Sequence, residues 1–196
     1  MINVCDECPM RLFNTKHYNL QGIGNPYFGK CIVIPNVDYI AYKKGDIGFS
    51  KQVEIIKSII SSTGELTDVF IVPFIRCNET ISCEFTDDVY RRCLTHFASD
   101  IIKYNFKDIL LLGEAGRRFL ACDINQYLDT IIISSNNRRY CVNYSPLIKY
   151  FDDNKFEVLL CDIKNKWDII RAIHYLTHRK LEDIPVFKYY KTDNIK

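Results

Sequence analysis

Cys5 and Cys8 stand with two residues between them near the head of the chain, and Cys77 and Cys93 follow as single cysteines separated by fifteen residues. Thiolates are the ligands of soft metal centres. A tight pair joined by two distant single cysteines suits a four-iron cluster, whereas a zinc ribbon usually presents two tight pairs. The spacing therefore favours a [4Fe-4S] cluster on Cys5, Cys8, Cys77 and Cys93. An isolated C-x2-C is shared by redox pairs and zinc knuckles, so a zinc-binding interaction module stays open. Cys83 in place of Cys77 also stays open, Cys77 being preferred because it directly follows an apolar strand. Cys31, Cys83, Cys122, Cys141 and Cys161 otherwise read as core or incidental residues, since free cysteine is among the most buried residue types.

The context of these cysteines carries further information. Cys5-Asp6-Glu7-Cys8-Pro9 leads to Gly22-Ile23-Gly24-Asn25-Pro26 and then to the apolar run Cys31-Ile32-Val33-Ile34. Phe70-Ile71-Val72-Pro73-Phe74-Ile75-Arg76-Cys77 and Ile109-Leu110-Leu111-Leu112-Gly113 follow in the same order as two later strands. From about residue 5 to about residue 175 this succession resembles the iron-sulfur (family four) uracil-DNA glycosylases. The resemblance implies a three-layer α/β/α fold with a mostly parallel central sheet, a [4Fe-4S] cluster on the four cysteines, and DNA as a partner.

The same resemblance exposes departures at the chemistry. In that family the first strand ends in Gly-Glu-Ala-Pro-Gly, whose glutamate assists the water or the sugar cation. Here Pro35-Asn36-Val37-Asp38-Tyr39 stands in its place, which makes Asn36 the candidate catalytic residue and Asp38, two residues on, a second source of charge. The family's base-stacking aromatic then falls thirteen residues after Asn36, on Phe49. The Thr-Asn that reads the uracil edge becomes Val72-Pro73, which has no side-chain hydrogen bond to offer. The His-Pro-Ser that stabilises the departing base becomes Tyr144-Ser145-Pro146-Leu147, with Ser145 where the histidine stood. A hydroxyl donates one bond yet cannot become a cation. Phe49, Pro73, Tyr144 and Pro146 are thus the expected base pocket, with Asn36, Asp38 and Ser145 as its polar groups. Each of these has a plain structural alternative as a turn, core or loop residue. His17, His96, His174 and His178 fall outside the motifs and read as surface or helix-face residues.

These residues need a frame to hold them. Runs 31 to 34 and 67 to 72 read as buried strands, and between them Ser50 caps a helix whose Val53, Ile56, Ile59 and Ile60 recur at helical spacing. A second helix begins near Thr86, with Asp87 and Asp88 in its first turn and Val89, Cys93, Leu94, Phe97 and Ile101 facing inward. A strand over 108 to 112, a helix over 114 to 121, a strand near 130 to 134, a turn at Asn136-Asn137, a strand over 140 to 144 and a last helix around 167 to 177 complete the reading. Strands alternating with helices predict a largely parallel sheet covered on both faces, with its site at the carboxyl ends of the strands.

A chain of 196 residues that is 47% hydrophobic suits one domain, expected over residues 1 to 184 with a flexible tail over 185 to 196. That tail interleaves Phe187, Tyr189 and Tyr190 with Lys188 and Lys191, a composition suited to stacking on single-stranded nucleic acid or docking on a protein. Nine cysteines without a signal segment or a long apolar stretch place the expected location in the cytoplasm, away from the membrane. Abundant Ile, Asn, Lys and Tyr suggest an AT-rich genome; a viral source, and then the host cytoplasm, agrees with that. Net charge is only +2, so DNA contact requires a local patch, for which Arg117, Arg118, Arg138 and Arg139 are the candidates. Loss of three polar positions favours a DNA-binding glycosylase-like protein without standard uracil excision, serving with a protein partner in a replication, repair or virus-encoded complex. The competing reading is an active glycosylase that excises uracil or another modified base.

Overall fold

The computed structural model describes residues 5–14, 16, 19–61, 69–78, 85–121, 123–128, 131–157, 159 and 179–180. The expected last helix, the tail, Cys83, Cys122, Cys161, His17, His174 and His178 lie outside the described residues. The protein is mixed α/β. In chain order it presents α1 (Met10–Phe13), β1 (Ile23–Gly24), β2 (Lys30–Val37), α2 (Tyr39–Lys44), α3 (Lys51–Ser61), β3 (Phe70–Asn78), α4 (Asp87–Tyr104), β4 (Asp108–Leu112), α5 (Glu114–Leu120), β5 (Ile132–Ile133), β6 (Arg139–Asn143) and β7 (Arg179–Lys180).

The strands form one sheet in the order β1-β3-β2-β4-β6-β5-β7. The four central strands β3, β2, β4 and β6 are mutually parallel, whereas β1 and β5 run antiparallel to β3 and β6. From β2 the chain steps outward to β3, then returns past β2 to β4. At such a reversal, here between the carboxyl ends of β2 and β4, open α/β sheets place their ligand crevice.

Why the sheet is buried on both sides is legible strand by strand. Cys31 and Val33 of β2, Phe70, Val72 and Phe74 of β3, and Ile109 and Leu111 of β4 join one core with Val89, Cys93, Phe97 and Ile101 of α4 and Phe119 of α5. The alternate residues Ile32, Ile34, Ile71, Leu110 and Leu112 join the other core with Val53, Ile56, Ile59 and Ile60 of α3. The period-two alternation thus feeds two helical layers. Thr86 caps α4, its hydroxyl accepting from the Val89 amide, and Asn105 in a left-handed conformation ends it. No helix among the described residues is long and apolar enough to cross a membrane.

Candidate functional site

Two sites take shape at the carboxyl edge of the sheet. The first collects the four singled-out cysteines. Cys77 is the last but one residue of β3, Cys93 lies two turns into α4, and Cys5 and Cys8 come from the turn before α1; all four are buried. The N-terminal segment is held there independently of any metal. Met10 is fully buried, and Asn14 exchanges hydrogen bonds with Asn78, its amide donating to the Asn78 carbonyl at 3.1 Å and its oxygen accepting from the Asn78 amide at 2.9 Å.

The thiols line one cavity with Met10, Arg11, Arg76, Val89, Arg92 and His96. Burial, followed by the charges of Cys77 and Cys8, pushes the Cys5 thiol up to about 11. Burial pushes Cys93 to about 12, with Cys77, Cys8 and Cys5 adding to the rise. Burial raises Cys77 as well. Such thiols keep their protons until a cation replaces them. His96 Nε2 lies 3.0 Å from Cys5 Sγ, and burial followed by the Arg76 charge lowers its pKa. No disulfide joins the cysteines among the described residues. Nor do any three His, Cys, Asp or Glu side chains among them close into metal-coordination geometry.

The fit to an anionic cluster rests on Arg76. Its side chain is only 4% exposed, and Nη2 bonds the Asp100 carboxylate. Nε is buried and donates to nothing among the described residues. A buried guanidinium N–H without an acceptor is costly, and Arg76 is one of the residues lining the cavity, whose occupant, four thiolates around iron, would carry negative charge. The donor set and this unmatched donor fit a [4Fe-4S] cluster held by Cys5, Cys8, Cys77 and Cys93. Sequence spacing alone missed Arg76, although an arginine inside the apolar run of β3 was a signal. His96 was read as a helix-face residue, and its position three residues after Cys93 puts it on the face that meets the thiols.

The second site is the crevice between β2 and β4. Asn36 is the last but one residue of β2 and is half-buried. Gln52 of α3 is 1% exposed, and its Nε2 donates to both Asn36 O and Asn36 Oδ1 at 3.2 Å. Asp38 has a structural task. It caps α2 by accepting from the Ala41 amide at 3.0 Å, and its other oxygen accepts from Ser50 Oγ at 2.7 Å and the Lys51 amide at 2.8 Å. This ties the start of α3 to the end of β2. Phe49, in the 3₁₀ turn just before Ser50, is 54% exposed, with Lys44 Nζ 5.7 Å from its ring centroid.

From the other side, Gly113 and Ser145 close the crevice. The Gly113 amide donates to the Asn143 carbonyl at 2.8 Å, binding the end of β4 to the end of β6. Ser145 caps the following 3₁₀ turn, its hydroxyl accepting from the Leu147 amide at 3.4 Å, and Pro146 is buried at the first position of that turn. Tyr144 is half-buried, and its hydroxyl donates to Asn125 Oδ1 at 2.7 Å. A side chain on Gly113, at φ 55°, would place its Cβ 2.8 Å from Ser145 Cβ and 3.2 Å from Pro35 Cγ. The ends of β2, β4 and β6 therefore meet there in van der Waals contact. Gly113→Ala is expected to cost about 2–4 kcal/mol, combining left-handed backbone strain with overpacking, as read by denaturant unfolding.

Not every expected site residue joins these two places. Pro73 is buried within β3 opposite Ile34, inside the sheet and away from its rim. Arg138 and Arg139 stand at the opposite, amino edge, because parallel strands begin and end on different edges. Arg139 makes a bidentate pair with Asp108 at the start of β4, with Nε 2.5 Å and Nη2 2.8 Å from the two carboxylate oxygens, and Arg138 Nε donates to the Phe106 carbonyl at 3.2 Å. Arg117 and Arg118 of α5 both pair with Glu114, Arg118 reaches Asp87 as well, and its guanidinium lies 4.2 Å from the centroid of Tyr90. Phosphate contact by these arginines would have to displace those partners. Lys44, with Nζ 5.7 Å from the Phe49 ring, and its neighbour Lys43 are exposed cations at the end of α2 that no motif pointed to, while exposed Lys51 pairs with Glu54 at 2.7 Å.

No protein-family model matches the chain, and a search of curated proteins finds no relative.

Proposed function

We propose that the protein is an iron-sulfur, uracil-DNA-glycosylase-like DNA-binding protein without standard uracil excision, serving in a replication or repair complex. The observation that carries this reading is the meeting of Cys5, Cys8, Cys77 and Cys93, from three distant segments, around one cavity that the buried Arg76 also lines. Cys31 shares a core with Cys8, Cys77 and Cys93 and Cys141 lies in the other, yet neither of these two lines the cavity. The doubly wound strand order and the crevice between β2 and β4 agree with the glycosylase-like fold. An exposed phenylalanine beside exposed lysines, at the rim of that crevice, is the combination that holds an unstacked base and its phosphates.

A cluster there would lock the N-terminal turn to β3 and α4, and so shape the surface beside the crevice. His96 beside Cys5 supplies a nitrogen donor, the one observation favouring zinc on three thiols and an imidazole. Metal analysis separates the two.

DNA binding is tested by fluorescence anisotropy with single-stranded and duplex oligonucleotides over a range of salt. Affinity is expected to fall as salt rises. Lys43→Ala with Lys44→Ala is expected to weaken binding and flatten the logarithmic salt slope by about 1.4 on single strands and about 1.8 on duplex, the loss of two phosphate contacts. A slope unchanged by the double substitution would place the phosphate path elsewhere, and no binding at any salt would overturn the reading.

A further inference from the structure

Hydrogen bonding at the end of β2 determines which way one amide points. The Asn36 backbone carbonyl can only accept, so the Gln52 atom 3.2 Å from it is the NH2 group, Nε2. With that end of Gln52 settled, the Asn36 side-chain atom 3.2 Å from the same Nε2 must be the acceptor, Oδ1. Asn36 Nδ2 is thereby turned away from α3, and it has no hydrogen-bond partner among the described residues. A second observation concerns Gln52 itself. Its own oxygen, Oε1, is buried without a partner, in a side chain that is 1% exposed. A leucine would fill that space and leave no acceptor unmatched. What glutamine alone provides there is the pair of bonds that orients Asn36.

We infer that Gln52 is a positioning residue that holds Asn36 as a hydrogen-bond donor toward a carbonyl oxygen of an unstacked base, making Asn36 a recognition group and not the residue that orients a hydrolytic water. This rests on the glycosylase-like reading above. An amide N–H cannot accept a proton from water, and Gln52 takes one of the two lone pairs of the oxygen that could hold such a water. Nearby Asp38, the other candidate for water activation, is engaged by three donors. A donor aimed at an oxygen acceptor, beside an exposed aromatic ring, matches the edge and the face of a base carrying a carbonyl, such as uracil, thymine or guanine.

The test compares two short single-stranded probes that differ at one position, one with deoxyuridine and one with an abasic tetrahydrofuran residue. The quantity read is the ratio of their affinities, which general folding damage does not shift. The native protein is expected to prefer the deoxyuridine strand, with stacking on the Phe49 ring and one neutral hydrogen bond both contributing. Gln52→Leu is expected to lower that preference by about three- to tenfold, the range of one neutral hydrogen bond, and to leave the stacking share; Asn36→Asp is expected to lower it by at least as much. Asn36→Asp keeps the acceptor that faces Gln52 and puts a charged acceptor where the outward donor stood, so it is read through the ratio of the two affinities and not through either one. A preference undiminished in Gln52→Leu, or uracil release that rises in Asn36→Asp as it would if residue 36 oriented water, overturns the inference. Side-chain amide NMR reads the orientation without DNA: Asn36 NH2 is expected to exchange freely with solvent in the native protein, and a protected Asn36 NH2 overturns the inference directly. Failure of the native protein to bind either probe would overturn the DNA-binding reading itself, a distinct outcome.

Discussion

Anaerobically prepared protein is expected to be coloured, with iron and acid-labile sulfide in the ratio of a [4Fe-4S] cluster, and Cys8→Ser to lose that colour along with stability. Ligation by Cys5 and Cys8 together with Cys77 and Cys93 would add to the hold that Met10 and the Asn14–Asn78 bonds already give the N-terminal turn on β3 and α4. Metal binding that requires the folded site is folding free energy, and its loss acts on the whole domain. The metal-free protein should also respond to alkali. Its Cys5 and Cys93 thiols are raised in the fold to about 11 and about 12, above the ordinary value of 9.0. The folded state therefore keeps protons that the unfolded chain releases, so stability is intact below pH 9.0 and falls as pH rises toward about 11. With metal bound the thiols are already deprotonated and that alkaline loss should disappear. Protein containing zinc and no iron would sink the cluster and favour the Cys5–His96 arrangement.

Uracil release is expected to run at least about a thousandfold below that of a competent glycosylase, since losing one preorganised donor to the developing anion costs about 10²- to 10³-fold and here more than one is missing. Val72 and Pro73 are buried within β3 and carry no polar side-chain atom. Ser145 Oγ accepts from the Leu147 amide, and a neutral hydroxyl there cannot become a cation. The amide of Asn36 is turned donor-outward by Gln52. An excision assay on single-stranded and duplex oligonucleotides carrying uracil and a panel of modified bases measures this directly. Robust uracil release that vanishes in Asn36→Ala would show a working pocket built another way. Release of a different base would assign the protein to the active branch of the same reading.

Much of the frame was readable because its causes are local. The stripe Val89, Cys93, Phe97 and Ile101 has the period of one helix face, and Thr86 with two aspartates marks its start; α4 begins at Asp87 as those residues dictate. The strand expected over 108 to 112 is β4, residue for residue, because five apolar-flanked positions between a helix cap and a glycine turn leave little choice. Short polar-looking pieces were not readable. Helix α2 carries Tyr39, Ile40 and two lysines with only Ala41 buried, and it exists because Asp38 caps it and Gly45 ends it in a left-handed turn. Strands β1 and β7 are two residues long and form only against β3 and β5.

By itself the sequence determined the alternation of buried strands and amphipathic helices, and hence a parallel sheet with its sites at the carboxyl edge. Periodicity and capping act over a few residues, and they are written in consecutive letters. Only the tertiary structure decided which residues of like type share a place. It brought Cys5 and Cys8 to Cys77 and Cys93 while sending Cys31 and Cys141 to separate cores, and put Arg76 in the thiol cavity with a donor unmatched. It set Arg138 and Arg139 at the amino edge, away from Asn36 and Ser145. It also turned Asp38 into a cap and gave Asn36 its direction through Gln52. Those outcomes depend on strand order and on hydrogen bonds between distant segments, which no local pattern encodes.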